Sequence, residues 1–235
     1  IQGRYGVIFF RDQHLSPEQY LAFAERFGEV RTSKVLPVLP DHPKIAHLVK
    51  EPSQRSIVGD IWHTDQTYRD DPVSSTFLYA RDIPPYGGDT QFRDAAAIFD
   101  ALSPGMQEML QGLRAVHMQD FLLGQVGGEF SGERAVDMTK AGAIATHPVV
   151  ITHPVSGRKV LYVNPGYTYK FEGWSREESK PILDYLYQVG QKPELTCRFR
   201  WQVNTLGIWD NRRVWHYANN DFHNHRREMY RITVV

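Results

Sequence analysis

A single cysteine, Cys197, excludes an internal disulfide and any CxxC metal or redox motif. Net charge is also missing: 27 Lys and Arg balance 27 Asp and Glu, so no overall field favours nucleic acid or an anionic membrane. Long apolar runs are absent. The longest, such as YGVIFF at 5–10, fall far short of the roughly 20 residues that cross a bilayer. There is no GxxxxGK[ST], GxSxG or HExxH, so common phosphate-binding, serine-hydrolase and zincin chemistries lack their signatures. Internal repeats, low-complexity tracts and linkers are absent too. These features lead to the expectation of a cytoplasmic protein with neither nucleic-acid nor membrane partners. The chain opens on Ile1 without an initiator Met, and its native N-terminal and C-terminal segments are expected to be missing.

What remains suits one domain over residues 1–235, with 41% hydrophobic residues to build a core. GVIFF reads as a buried strand. LSPEQYLAFAERFG reads as a helix with Ser16 as N-cap, Pro17 in the first turn and Gln19 completing a capping box. Tyr20, Phe23, Ala24 and Phe27 line one face of it, and Gly28 ends it. A second helical stretch starts near Asp94 and restarts at Ser103-Pro104. A third begins at Ser175, with Glu178 three residues on, presents Ile182, Leu183, Tyr185 and Leu186, and closes at Gly190. KIAHLV, STFLYARDI, VVITHP, KVLYVN, LTCRFRW, TLGIWD and MYRITVV have strand composition or period-two alternation. ITHPVSGRKVLYV predicts a hairpin turning at Ser156-Gly157. Many strands without regular βα alternation favour a mostly β jelly roll with flanking helices.

Within WHTDQTY, His63 and Asp65 are two apart, which on an extended strand edge puts both side chains on one face. Two ligands do not hold a metal, and of the ten histidines His216 in VWHYA is the best third. It follows a strongly β segment and sits between Trp215 and Tyr217. Two histidines and a carboxylate form a facial triad with open positions, suited to Fe(II) oxygenases. Zinc with a bound water is the rival, as a hydrolase. His147 and His153, each followed by Pro, read as strand-end packing or turn residues, and His223 and His225 as a solvated loop. In REMYRITVV, Arg227, Met229 and Arg231 project to one face. Their guanidiniums pair either with a dicarboxylate cosubstrate or with acids of the chain itself. In RFRW, alternation puts Phe199 and Trp201 on one face and the arginines on the other.

The stretches YGVIFFRDQHLSPEQYLAFAERFGEV, GDIWHTDQTY, PPYGGDTQF, THPVSGRKVLYVN and WDNRRVWHYANNDF, with RREMYRIT close behind, together resemble the taurine dioxygenase and aryloxyalkanoate dioxygenase family. Its members are Fe(II)- and 2-oxoglutarate-dependent oxygenases with a double-stranded β-helix fold. The resemblance implies that His63, Asp65 and His216 ligate iron, and that Thr90 and Arg227 hold the distal carboxylate of 2-oxoglutarate. It implies that Arg231 helps bind a substrate anion and that Gln66, Tyr68 and Tyr167 line the substrate pocket. Fe(II), 2-oxoglutarate and O2 are the implied cofactor and cosubstrates, a small organic anion the implied substrate, and a homo-oligomer, dimer or tetramer, the implied assembly. A non-catalytic jelly-roll binding protein is the other alternative, against which the complete ligand set argues. Two positions depart from the taurine enzyme. Gly59 stands where it has Asn, and Leu36 stands where a sulfonate-binding His is expected, so taurine is not the expected substrate.

Overall fold

The computed structural model describes residues 1–33, 36–119 and 142–235; Val35, at the start of VLPVLP, lies outside the described residues. In chain order the strands are β1 (Val7–Phe10), β2 (Val30–Arg31), β3 (Val38–Leu39), β4 (His42–Lys50), β5 (Ser75–Asp82), β6 (Thr90–Asp94), β7 (Arg114–Met118) and β8 (Ile144–Pro148). They continue with β9 (Val150–Thr152), β10 (Lys159–Leu161), β11 (Thr168–Phe171), β12 (Thr196–Phe199), β13 (Leu206–Asp210), β14 (Val214–Ala218) and β15 (Arg227–Val234). The α-helices are α1 (Gln2–Tyr5), α2 (Pro17–Ala24), α3 (Ala95–Asp100), α4 (Pro104–Gln111) and α5 (Arg176–Val189).

The main sheet runs β1-β13-β5-β15-β4-β3, with β2 also paired to β15. A smaller sheet, β12-β6-β14, faces it. The alternation of the strands explains how. Leu78, Ala80, Trp209 and Met229 of the main sheet pack with Phe92 and Val214 of the smaller one. The intervening residues Phe77, Tyr79, Ile208, Ile232 and Val234 point the other way, against Tyr20 and Ala24 of α2. Both faces of the main sheet are therefore buried, and each large apolar side chain so covered contributes about 1.5–3 kcal/mol. A third core packs α3, α4 and α5 with Val160 and Leu161 of β10 and with Trp215, which points outward from β14. This is the expected jelly roll with helices outside.

The helix starts match their caps. Ser16 Oγ accepts from Gln19 N, and Gln19 Oε1 accepts from Ser16 N. Ser175 and Glu178 form the same box at α5. Asp94 and Ser103 cap α3 and α4. One end and one face differ from the expectation, while α5 closes at Gly190 as expected. α2 stops at Ala24 because the next turns tighten, with Arg26 N bonded to Phe23 O and Phe27 N to Ala24 O. On α5, Tyr185 is exposed and Tyr187 packs on Trp215 instead, because Tyr187 lies four residues from the buried Leu183 and Tyr185 only two. The β9–β10 hairpin turns at Gly157, whose φ of 70° suits a residue without Cβ. Phe199 and Trp201 meet at 5.1 Å and both reach Phe9, while Arg198 pairs with Asp89 and Asp221.

Candidate metal centre and anion pocket

His63 and His216 are direct cross-strand partners. His63 N donates to His216 O at 3.1 Å, and His216 N donates to His63 O at 2.8 Å. This pairing brings together residues far apart in sequence and places the two imidazoles 4.1 Å apart, centroid to centroid. It also corrects the expected strand edge. His63 lies in an isolated bridge, and the chain turns immediately after it, with Gln66 at a φ of 56°. The turn still delivers the neighbouring carboxylate. Asp65 Oδ1 lies 3.5 Å from His63 Nε2 and 3.7 Å from His216 Nε2. All three ligand atoms fall within 4.8 Å of one another, and all three residues are buried.

The protonation states suit a divalent cation. Burial, reinforced by His63, holds His216 well below its ordinary pKa, so its imidazole is neutral. Burial alone would raise Asp65, but the Arg231 guanidinium against it outweighs burial and holds the carboxyl well below its usual range. His63 Nδ1 lies 2.7 Å from Ile61 O, a contact that fixes the ring with Nε2 towards the cluster. Asp65 is oriented from behind by Thr76, whose hydroxyl donates to Oδ2 at 2.6 Å. Thr76 in turn accepts from Asn211 Nδ2 at 2.8 Å, and Asn211 Oδ1 accepts from Trp209 Nε1 at 3.1 Å.

Glycines make room around His63. A Cβ on Gly166 would lie 2.7 Å from His63 Cβ and 3.2 Å from Trp62 O. Gly59, at a φ of 89°, would put a Cβ 3.3 Å from His63 Cε1.

The triad opens into a cavity of about 140 Å³. Thr90, Arg227, Arg231, Gln66, Tyr68 and Tyr167 all line it, so the residues that the resemblance implies for the site share one cavity with the triad. Arg227 is buried, and its Nε and Nη2 have no hydrogen-bond partner among the described residues. Burial lowers its pKa to about 10, against the opposing pull of Asp89 and Asp221, so it stays charged. Gly88 lies close to it: a Cβ there would be 3.2 Å from Arg227 Cδ. Thr90 Oγ1 accepts from Trp201 Nε1 at 2.9 Å, which leaves its own proton to donate. Arg231 Nη2 contacts Asp65 Oδ1 at 2.7 Å, a buried pair on the oxygen that faces both imidazoles. Burial raises Tyr68 to about 12 and Tyr167 well above its ordinary value, so both are neutral phenols, 5.0 Å apart edge to face. Leu36, Leu48, Val58, Ile61 and Leu78 supply an apolar remainder. His147 and His153 lie away from the triad: His147 Nε2 lies 2.9 Å from Arg69 O and His153 Nε2 3.0 Å from Asp210 Oδ2.

Thr76, Asn211 and Gly166 were not legible as site residues. Thr76 reads simply as a strand residue, and Asn211 stands in the WDN run without any spacing to link it to position 65. Only their contacts assign them.

A jelly roll holding a His-Asp-His cluster beside Arg227, whose Nε and Nη2 have no partner among the described residues, has the donor set of a protein class that binds a metal ion and an anion together. The chain belongs to the TauD, TfdA family described as taurine catabolism dioxygenases, whose family profile matches residues 3–233. It is similar to an alpha-ketoglutarate-dependent sulfonate dioxygenase of Saccharomyces cerevisiae, with 31% identity over 241 residues, 97% of this chain and 57% of that protein. It is also similar to the alpha-ketoglutarate-dependent 2,4-dichlorophenoxyacetate dioxygenase of Cupriavidus pinatubonensis, with 32% identity over 248 residues, 97% of this chain and 84% of that protein. The chain thus spans less than two thirds of the yeast relative's length. A solved taurine dioxygenase from Burkholderia xenovorans superposes with a TM-score of 0.80 at 32% identity, covering all of this chain and 77% of that one. Among the described residues no helix is long and apolar enough to cross a membrane.

Proposed function

We propose that residues 1–235 form one catalytic domain of an Fe(II)- and 2-oxoglutarate-dependent dioxygenase that oxidises a small organic anion. One observation carries this reading. A three-ligand cluster shares its cavity with Arg227, a buried guanidinium with two nitrogens that have no partner among the described residues. A buried charge of this kind is costly until an anion pairs with it. A hydrolytic zinc site has no use for such a group, whereas a cosubstrate with a carboxylate at each end does.

His63, Asp65 and His216 would hold the iron, as two imidazoles and one carboxylate. When bound, iron(II) with 2-oxoglutarate and O2 supplies the oxidation of a substrate C–H bond, with release of succinate and CO2. The chain supplies placement. Arg227 takes the far carboxylate of 2-oxoglutarate in its planar fork, and Thr90 donates its hydroxyl to the same group, so that orientation is set before reaction. Thr76 holds Asp65 in the rotamer that aims Oδ1 at the two Nε2 atoms. Tyr68, Tyr167 and the leucines exclude water, and Gln66 and Arg231 offer the polar end of the pocket to a substrate anion. The named substrates of relatives, sulfonates and an aryloxyacetate, fit that division into a charged end and an apolar body. A reducing compartment such as the cytoplasm suits both a ferrous site and the exposed thiol of Cys197.

The test is anaerobic. Fe(II) and 2-oxoglutarate added to the metal-free protein are expected to give the weak visible charge-transfer band of the chelate. Iron binding at one equivalent without that band would remove the assigned roles of Thr90 and Arg227. Preference for zinc with ester hydrolysis would replace the whole reading.

A further inference from the structure

A second cleft, of about 440 Å³, shares the wall formed by Asp60 and Ile61 with the candidate metal centre. Trp62, Tyr187 and Tyr217 form its aromatic sides, and Arg93 lies in its lining. The strand explains why this arginine is there. In β6, Phe92 points into the jelly-roll core, so Arg93 leaves the opposite face, between Thr196 of β12 and Trp215 of β14.

Arg93 is only 8% exposed, yet no carboxylate pairs with it among the described residues. Its Nε donates to Thr196 Oγ1 at 3.2 Å, the one hydrogen bond it makes there. The guanidinium carbon lies 3.7 Å from the centroid of the Trp62 ring. That stacking covers a face of the fork, and Nη1 and Nη2, which are not fully enclosed, make no hydrogen bond to the described residues. Burial lowers the pKa to about 10, and no neighbouring charge raises it. Buried cations are ordinarily paired, and an arginine edge matches a carboxylate with two parallel hydrogen bonds. Asp60 and Asp184 line the same cleft, the latter bonded to Lys180, so a polyanion would meet two carboxylates there. A single negative charge on a flat body answers both constraints, because the aromatic sides can stack on that body.

We propose that this cleft binds a small aromatic monocarboxylate, with Arg93 gripping the carboxylate and Trp62, Tyr187 and Tyr217 holding the ring. The site is distinct from the metal centre and does not depend on the chemistry there. Benzoate is the probe, titrated calorimetrically into the wild-type chain and into R93M, R93K and R231M, with thermal unfolding of each followed alongside. The expected result is saturable binding to wild type and R231M, loss in R93M, and binding at least tenfold weaker in R93K, which keeps the charge but not the fork. Benzoate at ten times its Kd should raise the wild-type Tm by about 3–6 °C and leave R93M unmoved. Without benzoate, R93M should unfold within about 5 °C of the wild-type temperature, since it gives up the Thr196 hydrogen bond and the Trp62 stacking but no carboxylate partner. Binding retained in R93M and lost in R231M would overturn the proposal, placing benzoate in the metal-site cavity. So would no binding at all, binding of inorganic phosphate in preference to benzoate, or an R93M Tm more than about 5 °C below wild type, which would reveal an internal partner for Arg93.

Discussion

Thr76 offers a sharp test of how the site is held. It is fully buried, donates to Asp65 Oδ2 at 2.6 Å and accepts from Asn211 Nδ2 at 2.8 Å. Thr76→Val keeps the shape and removes the hydroxyl. A hydrogen bond to a carboxylate is worth about 1.5–3 kcal/mol, and leaving the Asn211 amide unsatisfied costs about 1–3 kcal/mol more. Asp65 keeps its contact with Arg231, so the fold should survive, destabilised by about 3 kcal/mol. For a chain of this size that lowers Tm by about 6–12 °C. Loosening a ligand carboxylate weakens metal binding by roughly 10–100-fold. The assay is Mn(II) affinity, from the resonance signal of the free ion, with thermal unfolding recorded in chelator. Thr76→Ser restores the oxygen and should recover both properties to within about threefold of wild type. Lowered stability with wild-type Mn(II) affinity in Thr76→Val would refute the reasoning, because Thr76 would then support the sheet without orienting Asp65.

Three further outcomes are expected. Arg227→Met should raise the 2-oxoglutarate KM by about 100-fold or more while leaving Tm unchanged or higher, since its Nε and Nη2 have no partner to lose; a fall in Tm with an unchanged KM would contradict the assignment. Gly166→Ala forces a Cβ within 2.7 Å of His63 Cβ, and overpacking of that kind costs about 1–3 kcal/mol, so metal affinity and stability should fall together, by metal titration and denaturant unfolding. Burial, with His147 nearby, lowers His117 from 6.5 to about 3. The unfolded chain therefore takes up the proton first, and stability falls as pH drops from about 6.5 towards 3, by about 2 kcal/mol between 6.5 and 5. Denaturant unfolding across that range should show the slope in wild type and lose it in His117→Gln; an equal slope in both would exclude His117 as its source.

Particular residues show what could be read from the chain alone. Ser16 with Gln19 and Ser175 with Glu178 announced two helix starts, because a capping box is a contact between residues three apart. Arg227, Met229 and Arg231 announced one strand face, because strand side chains alternate. His63 and Asp65 were recognisable as a pair of ligands, although the chain there turns instead of running as a strand. The end of α2 and one face of α5 were less legible: tightening after Ala24 and the choice of Tyr187 over Tyr185 depend on what packs against those turns.

Local periodicity and short-range capping thus settled the mostly β architecture, the faces of its strands and the identity of the residues able to carry the chemistry. Tertiary structure alone decided the rest. It paired His216 with His63 across a cross-strand bridge, set Thr76 and Asn211 behind Asp65, and turned Arg231 onto the carboxylate it was expected to share a pocket with. It buried Arg227 with two nitrogens that have no partner among the described residues, and set Arg93, with no carboxylate partner among them, beside a second cavity. The physical reason is range. A strand or helix records which side of itself is buried, but not which distant strand will lie against that side, and a metal or anion site is made where two such sides meet.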